Sequence, residues 1–386
     1  MPKVSVIIPS YNHGHFITEA LRSVLAQTYQ DFEIVVVDDG STDNTREVVG
    51  QFTDERIRYI YQENTGLAGA RNTGIRHSTG EYVAFLDADD LFLPQKLALQ
   101  VRQLDENPDV GLVAGGWLFV DLYGKVLQEV RPWGACVSLS LQSWLLGCPF
   151  VVHGMLMRRK VIDRAGQFDE SLTACEDWDL FLRMAADDTV MRWGYNVVCK
   201  YRIHCNNMTR SPQRIREKIR ILDKFFRVRA RDVGDEVKRR AYANALLQIA
   251  GSLYLANDWE EAKKVIVMAT SWVPELVGGI RPPLVDVLRN WSLDPRVSEP
   301  IEQASLIFDH LPESMSHLCV YRRKVLAELH IDSAFRNYAC GYFGKVVTNA
   351  ASGVVLDLSW IRNRGVWSIT LRSFTSLLRH WRKVIG

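Results

Sequence analysis

Short apolar runs alternate with helical patterns over the first 120 residues of the chain. The helical segments repeat apolar side chains on one face, as residues 16–25 do. The strand-like runs are 3–8, 33–37, 57–61, 82–86 and 110–120. Because these runs are almost continuously apolar, the pattern predicts an α/β protein whose parallel sheet is buried on both faces.

The pattern changes twice further along the chain. Residues 200–240 carry 14 Lys and Arg against 5 Asp and Glu, and only helical patterns follow them. The Gly, Tyr and Ala spacing of 251–274 resembles a tetratricopeptide-type hairpin, with plain helix-pair packing as the alternative. We predict an α/β domain over 1–210, a basic helical linker over 211–240, and an α-helical domain over 241–386 with tetratricopeptide-like hairpins and a basic amphipathic tail.

The tail after Asp357 contains six cations and no acidic residue. Its apolar residues recur at spacings of three and four, at Leu371, Phe374, Leu378, Trp381 and Ile385. Two interpretations stay open. The stripe could lie on an anionic membrane surface, or it could pack on the helical domain and leave the arginines in solvent.

Composition narrows the class of protein. A net charge of +2 argues against a nucleic-acid binder, and seven cysteines without a CxxC pair indicate reduced thiols in the cytoplasm. The first strand begins at Lys3, which leaves no room for a signal peptide. The longest charge-free apolar stretch, 110–120, has 11 residues, short of the roughly 20 that a membrane span needs. We expect a cytoplasmic protein that is soluble, or peripheral on the inner face of the membrane.

Acidic residues stand where two predicted strands end. Asp38 and Asp39 end the second strand, and Asp87, Asp89 and Asp90 follow the fourth. The carboxyl ends of parallel strands share one edge of a sheet, where ligands bind. One such residue could simply cap a helix, but five carboxylates at one edge would repel each other without a cation. Oxygen ligands beside a phosphate favour Mg²⁺ or Mn²⁺ and indicate a nucleotide diphosphate.

Three further features carry candidate chemistry. The glycine-rich helix start at 66–74 contains Arg71, suited to phosphate, yet neither GxGxxG nor GxxxxGK[ST] occurs. This disfavours nicotinamide dehydrogenases and P-loop NTPases. Glu176 and Asp177 open a helical pattern, either as partners of the helix dipole or as a general base. From the residues alone, His204 is more often structural than a ligand.

Together these segments resemble glycosyltransferase family 2, a group of inverting, nucleotide-sugar-dependent enzymes with the GT-A fold. The matching segments are VSVIIPSYN at 4–12, VVVDDGSTDNT at 35–45, GLAGARNTGI at 66–75, FLDADD at 85–90, the Glu176-Asp177 pair and His204. The resemblance covers residues 1 to about 210. It implies a doubly wound, mostly parallel GT-A sheet, followed here by the mainly α-helical domain.

The resemblance also implies roles for individual residues. Contacts to the nucleotide are expected from Pro9, Tyr11, Asn12, Asp39, Arg71 and Asp87. A divalent metal, Mn²⁺ or Mg²⁺, is expected on Asp87, Asp89 and His204. Asp177 is expected to be the catalytic base.

The expected reaction is transfer of a single sugar, because the Gln-x-x-Arg-Trp motif of processive synthases is absent after Asp177. UDP-hexose is the default donor, and the acceptor is a saccharide or a lipid-linked saccharide. The acceptor pocket is expected within 131–176, with Trp133, His153, Gly154 and Glu176 as candidates. Trp144 is another, although the apolar core uses Trp equally well.

The sequence disfavours two other classes of function. A catalytically silent module that binds sugar nucleotides or proteins is disfavoured by the intact Asp87, Asp89 and Asp177. A receiver-like signalling domain is disfavoured because no Asp follows the strand 57–61. Expected partners are the nucleotide-sugar donor and the acceptor, with no nucleic acid. Contact with an anionic membrane, and a homo-oligomer or protein partner through the helical domain, stay open.

Overall fold

The computed structural model of the protein describes residues 1–147, 151–204, 207, 216–229 and 233–385, without the side chains of 378–385. The chain divides into two compact units, Met1–Ala245 and Leu246–Gly386. Residues 211–215 and 230–232 of the expected linker lie outside the described residues. The intervening helix Glu217–Arg229 belongs to the first unit. The division at residues 210 and 240 stays a prediction.

The first unit is built on one mixed sheet. Its strands are β1 Val4–Ser10, β2 Phe32–Asp39, β3 Ile57–Gln62, β4 Tyr82–Phe85, β5 Leu91–Phe92, β6 Val110–Val120, β7 Val126–Val130, β8 Met155–Arg158 and β9 Val190–Arg202. The strand order is β3-β2-β1-β4-β8-β6-β9-β5, and β7 also pairs with β6. Strands β1 to β4 are mutually parallel, and β6 and β9 are parallel to each other. The antiparallel strand β8 joins these two groups.

The described part of the first unit also contains the following helices. They are α1 Ile17–Leu25, α2 Thr45–Val49, α3 Gly66–His77, α4 Lys96–Glu106, α5 Leu141–Leu145, α6 Arg159–Ala165, α7 Glu176–Ala186 and α8 Glu217–Arg229.

Alternation along β2 places its side chains on opposite faces. Val36 belongs to the cluster that contains α1, whereas Val35 belongs to the cluster that contains Ala70 of α3. Gly74 permits the close approach of α3, because a Cβ there would stand 2.2 Å from Ile7 Cγ2. This arrangement confirms the predicted doubly wound, mostly parallel sheet.

The register of the parallel strands fixes where the acidic residues lie. Ser10 of β1 pairs with Asp38 of β2, and Ile7 of β1 pairs with Phe85 of β4. The carboxyl ends of β1, β2 and β4 therefore meet at one edge of the sheet. The turns that follow these strands carry the motifs found in the sequence.

The second unit consists of helices. A helix that begins in the first unit, α9 Asp235–Leu255, leads into it, and the others are α10 Trp259–Trp272, α11 Pro283–Ser292, α12 Pro300–Asp309, α13 Arg322–Ala339, α14 Phe343–Leu356 and α15 Arg364–Ile385. Ala262 and Ala269 of α10 are fully buried, as a packed hairpin requires. The tetratricopeptide likeness stays a prediction. In the described part of the chain, no helix has the length and apolarity needed to cross a membrane.

Candidate active site

The loop after β1 is tied to the loop after β2. Asn12 has a left-handed backbone (φ 57°), and its Oδ1 accepts a 2.7 Å hydrogen bond from the Thr42 amide. The Asn12 amide in turn donates to Ser41 Oγ at 2.9 Å. Pro9 lies within buried β1, whereas Tyr11 is 47% exposed. Of the predicted nucleotide contacts in this segment, Tyr11 thus offers a free surface and Asn12 shapes the loop.

Asp39 connects β2 to the start of α3. Its Oδ1 accepts from the Thr65 amide at 2.9 Å and from Gln62 Nε2 at 2.7 Å, and its Oδ2 accepts from the Gly66 amide at 2.9 Å. The carboxylate is buried. Asp39 therefore fixes the glycine-rich helix start, and its contact with a nucleotide stays a prediction.

Arg71 lies between two carboxylates of distant origin. It is buried, and Nη2 donates to Asp87 Oδ1 at 2.7 Å while Nη1 donates to Glu176 Oε1. Burial alone would lower the pKa of Arg71, but Asp87 and Glu176 raise it. The guanidinium thus stays charged and joins the turn after β4 to the start of α7.

Glu176 and Asp177 form the first turn of α7. The residue before them, Cys175, has a left-handed backbone (φ 59°), which costs energy for a non-glycine residue. Asp177 Oδ1 accepts a 2.7 Å hydrogen bond from the Trp178 amide. Burial raises the pKa of Asp177, although Arg71 opposes this shift. A carboxylate with a raised pKa at a helix start is suited to accept a proton from a substrate hydroxyl.

The turn after β4 is held by the end of β9. His204 Nε2 lies 2.8 Å from Asp89 Oδ2. Arg202 donates from Nε to the Asp89 carbonyl at 2.9 Å and from its amide to Asp90 Oδ1 at 2.7 Å. Burial would raise the pKa of Asp89, but the hydrogen bond with His204 lowers it. The predicted metal ligands Asp89 and His204 are therefore neighbours.

The same turn takes part in a second carboxylate–imidazole group, formed by Asp87, Asp90 and His153. His153 Nδ1 stands 3.1 Å from Asp90 Oδ2 and 4.0 Å from Asp87 Oδ2, without the alignment of a hydrogen bond. One ligand atom from each of these three residues fits within 4.8 Å. Burial lowers the pKa of His153 to about 4, so its ring is neutral near pH 7. Carboxylate oxygens with a neutral imidazole fit Mn²⁺ chemically, so both groups are candidate cation sites.

The turn that carries His153 is clamped from α4. Gln100 Nε2 donates to the Gly154 carbonyl at 2.9 Å, and Lys96 Nζ donates to the Met155 carbonyl at 2.9 Å. Burial lowers the pKa of Lys96 to about 7. A Cβ on Gly154 would stand 3.2 Å from the Gly115 carbonyl oxygen, so the backbone at Gly154 lies close to that of β6.

The candidate acceptor residues separate into two groups. Glu176 is joined to Asp87 through Arg71, His153 Nδ1 lies 4.0 Å from Asp87 Oδ2, and Gly154 is in the same turn as His153. Trp133 instead packs edge-on against Trp193 and Tyr195, with ring centroids 6.2 and 5.7 Å apart. Trp144 is buried and stacks on Phe181 in the core at 5.3 Å. An acceptor role for these residues stays a prediction.

Three residues at the site are not among the sequence-based candidates: Lys96, Gln100 and Arg202. Asp90 is among the strand-end carboxylates expected at this edge, although the sequence assigned it no role of its own. Arg202 stands two positions before His204, and this closeness to a motif is the only signal that the sequence gives for it. Lys96 and Gln100 lie on a surface-type helical pattern, which gives no such signal.

Comparison with known proteins identifies the family. The family model described as glycosyl transferase family 2 matches residues 5–166. WfgD from Escherichia coli, a UDP-Glc:alpha-D-GlcNAc-diphosphoundecaprenol beta-1,3-glucosyltransferase, is 34% identical over 204 residues, which cover 52% of this chain and 77% of WfgD. The chain belongs to glycosyltransferase family 2. The resemblance predicted from the sequence is confirmed.

Two solved structures have a fold similar to that of this chain. S. aureus TarS in complex with UDP-GlcNAc superposes with a TM-score of 0.54 at 18% identity, over 87% of this chain and 92% of that chain. The mannosyltransferase PcManGT from Pyrobaculum calidifontis, in complex with GDP-Man and Mn²⁺, gives 0.50 at 24% identity, over 83% and 87%. The predicted GT-A fold is confirmed. A relative from Rickettsia conorii, named an uncharacterised glycosyltransferase, is 34% identical over 233 residues, which cover 58% of this chain. The matched region is only 38% of the length of that relative.

Proposed function

We propose that the protein transfers one sugar from a nucleotide-diphosphate sugar to a saccharide or lipid-linked saccharide, with inversion at the anomeric carbon. The observation that carries this proposal is the convergence on Arg71 of Asp87 from the turn after β4 and Glu176 from the start of α7. This convergence places Asp87 near Asp177, the residue after Glu176, and burial raises the pKa of the Asp177 carboxyl.

The proposed reaction is a single displacement. Asp177 accepts the proton of the acceptor hydroxyl while that oxygen bonds to the anomeric carbon. The bond between that carbon and the phosphate oxygen breaks on the opposite face, and the nucleoside diphosphate leaves with the electron pair. Arg71 contributes fixed positive charge near the leaving group. One displacement from an α-linked donor yields a β-linked product.

A divalent cation is part of the proposal. Asp89 and His204, with Asp87, are the residues proposed to hold it, and their carboxylate and imidazole donors suit Mn²⁺ or Mg²⁺. When bound, such a cation neutralises the charge of the diphosphate. Excess acidity at the site supports this assignment, because Arg71 lies among three carboxylates, those of Asp87, Glu176 and Asp177.

UDP-hexose is the proposed default donor, and a lipid-linked saccharide is the proposed acceptor. The names of two similar proteins support these choices, since TarS is solved with UDP-GlcNAc and WfgD is named for a diphosphoundecaprenol acceptor. The missing Gln-x-x-Arg-Trp motif supports transfer of one sugar per acceptor.

The test is a panel of nucleotide sugars with Mn²⁺, read by release of nucleoside diphosphate with and without saccharide acceptors. Proton NMR of the first product gives the anomeric configuration. A metal-dependent release that increases with an acceptor and yields the inverted linkage supports the proposal. Binding of a nucleotide sugar without turnover of any donor would favour the silent module, and a retained configuration would exclude the single displacement.

A further inference from the structure

The helix α15 of the second unit carries apolar residues on two faces of its described part. On the inner face, Val366, Ile369 and Ser373 are buried. Val366 and Ile369 belong to a core cluster with Ile331 of α13 and Val346 of α14. The inner face therefore provides the packing that holds this helix on the unit.

The outer face has a separate apolar stripe. Trp367, Leu371 and Phe374 are 48%, 60% and 53% exposed. Their spacing of four and then three residues aligns them along one side of a helix. We call these three residues the outer stripe. Leu378, Trp381 and Ile385 continue the same spacing in the sequence, and their side chains lie outside the described residues.

The exposure of the outer stripe disfavours the interpretation in which the predicted stripe packs on the helical unit. Packing on the helical unit is provided by Val366 and Ile369, which were not in the predicted stripe, whereas Leu371 and Phe374 point away from the core. The preceding short 3₁₀ segment adds Leu358 and Ile361, 67% and 45% exposed. Single exposed apolar residues are normal, but a row of large ones along one helix face indicates a binding surface.

The positive charge around the outer stripe indicates which kind of partner it binds. Arg362, Arg364 and Arg372 are exposed, and the sequence has no Asp or Glu after Asp357. A second copy of this chain that docked through the same face would bring these arginines against their own equivalents. An anionic lipid surface instead pairs its headgroups with the arginines and takes the apolar side chains into the acyl boundary.

We propose that the outer stripe and the arginines beside it bind the surface of an anionic lipid bilayer. The helix lies in the plane of the interface, with its inner face still packed on the unit. Membrane binding by the outer stripe is a property separate from the transfer reaction. Only the reason for it rests on the proposed function, because a lipid-linked acceptor is presented at a membrane.

The experiment is co-sedimentation of the full chain with phosphatidylcholine vesicles, with and without phosphatidylglycerol, at low and high salt. We expect binding only to the anionic vesicles, weakened by salt. Each arginine near the surface contributes about fivefold in affinity, so Arg364→Gln with Arg372→Gln weakens binding about 25-fold at low salt. Leu371→Ser with Phe374→Ser weakens it at least about tenfold at both salt concentrations.

The matched control replaces two exposed apolar residues elsewhere in the same unit. Ile280 and Val320 are 98% and 75% exposed, and Ile280→Ser with Val320→Ser leaves vesicle binding unchanged if the outer stripe is the binding surface. Circular dichroism melting checks that all variants are folded.

Three results would overturn the proposal. The full chain could ignore anionic vesicles at low salt, or the Leu371→Ser, Phe374→Ser variant could bind them as the parent does. Light scattering could also show that this variant loses an oligomer while its vesicle binding persists, which would make the stripe a contact between copies. Nucleoside diphosphate release with a soluble acceptor is measured in parallel. Failure of that reaction counts against the transferase, while the vesicle result stands by itself.

Discussion

Arg71 and Glu176 form a buried ion pair across 105 positions of the sequence. The other arm of the same guanidinium binds Asp87, so one side chain of α3 connects the turn after β4 with the start of α7. A planar guanidinium can donate to two carboxylates at fixed angles, whereas an ammonium group acts as a point charge. The relative position of Asp87 and Asp177 therefore depends on Arg71.

The first prediction concerns this ion pair. Arg71→Met leaves Glu176 buried without its cation, and we expect the free energy of unfolding to fall by about 3–5 kcal/mol. Arg71→Lys keeps a charge but loses the fork, so it should cost less stability while still reducing the rate of transfer. Urea unfolding measures the first effect and nucleoside diphosphate release the second.

Arg76, exposed on the same helix, provides the control. Arg76→Met should change stability by no more than about 0.5 kcal/mol. If Arg71→Met unfolds at the same urea concentration as the parent, the ion pair does not hold the two elements together.

The second prediction concerns the base. Asp177→Asn keeps the shape of the side chain and removes the proton acceptor, so transfer should slow by about 10²–10⁴-fold with donor affinity nearly unchanged. Asp163→Asn, on the exposed side of α6, is the matched control. Calorimetry of donor binding separates the outcomes, because a loss of affinity would make Asp177 a binding residue.

The direction of the pKa shift of Asp177 adds a pH dependence. The base must be ionised, and burial raises its pKa, so kcat/KM should fall on acidification with a midpoint above the ordinary carboxyl value of about 4. A raised folded-state pKa also means that the ionised form destabilises the fold above that pKa. Asp177→Asn should therefore raise the melting temperature at neutral pH, and the gain should vanish at low pH. A gain that is the same at both pH values would contradict this reasoning.

The third prediction separates the two carboxylate–imidazole groups. If Asp89 and His204 hold the cation, Asp89→Ala and His204→Gln should each weaken Mn²⁺ binding in the presence of UDP by at least about tenfold. His153→Gln should leave it within about threefold, because His153 faces Asp90 instead. Electron paramagnetic resonance of free Mn²⁺ gives the affinity without relying on turnover.

The reverse pattern would assign the cation to Asp87, Asp90 and His153, which also fit one. Asp89→Ala should in addition abolish metal-dependent turnover while the fold persists, because the lost hydrogen bond with His204 is offset in part by weaker repulsion of Asp90. Turnover that is undiminished in excess chelator would show that no divalent cation is needed.

The parallel half of the sheet could be predicted because β1, β2 and β4 are buried on both faces and are almost continuously apolar in sequence. The outer strand β3 is only partly buried, but its residues Ile57, Tyr59 and Ile60 still indicate a strand. The predicted parallel strands also placed Asp39 and Asp87 at the same edge of the sheet. It could not place β8 between β4 and β6, since antiparallel pairing of Val83 with Met157 is decided by contacts distant in sequence. The approach of His153 to Asp90 follows from that insertion, and so was not predictable either.

Burial itself also limited the sequence-based prediction. Trp144 could equally have stacked on a sugar or filled the core, and only packing against Phe181 distinguishes the two. Lys96 looks like a surface residue in the sequence, yet it is fully buried and donates to the Met155 carbonyl. In the tail, the periodicity found an apolar stripe but could not tell whether Leu371 or Val366 faces the core.

The fourth prediction concerns Asp39. If its carboxylate accepts a hydrogen bond from the base or ribose, Asp39→Ala should weaken UDP binding even without metal. A lost charge-assisted bond costs about 1.5–3 kcal/mol, roughly one to two decades of affinity. Asp31→Ala, an exposed residue before β2, is the control. An unchanged dissociation constant for UDP would leave Asp39 with only its role in holding the Thr65 and Gly66 amides.

The fifth prediction concerns Lys224 of α8, within the segment that the sequence suggested as a linker. Its Nζ bridges Asp169 at 2.8 Å and Asp179 at 2.9 Å. Asp179 lies in α7, two residues after the proposed base, and Asp169 lies in the loop that leads to this helix. Lys224 is therefore a positioning residue, because it fixes the start of α7 without reaching the reacting atoms.

Lys224→Met should lower kcat by about tenfold or more, since small displacements of a catalytic group are costly, while the KM for the donor changes little. Lys224→Arg keeps a cation that can reach both carboxylates and should restore most of kcat, which a purely steric role of the side chain would not explain. Stability should change modestly, because Lys224 is nearly half exposed and Arg183 still pairs with Asp179. Lys160→Met, an exposed residue of α6, is the matched control for loss of a surface cation. An unchanged kcat in Lys224→Met, or a rise in KM alone, would remove α8 from the support of the base.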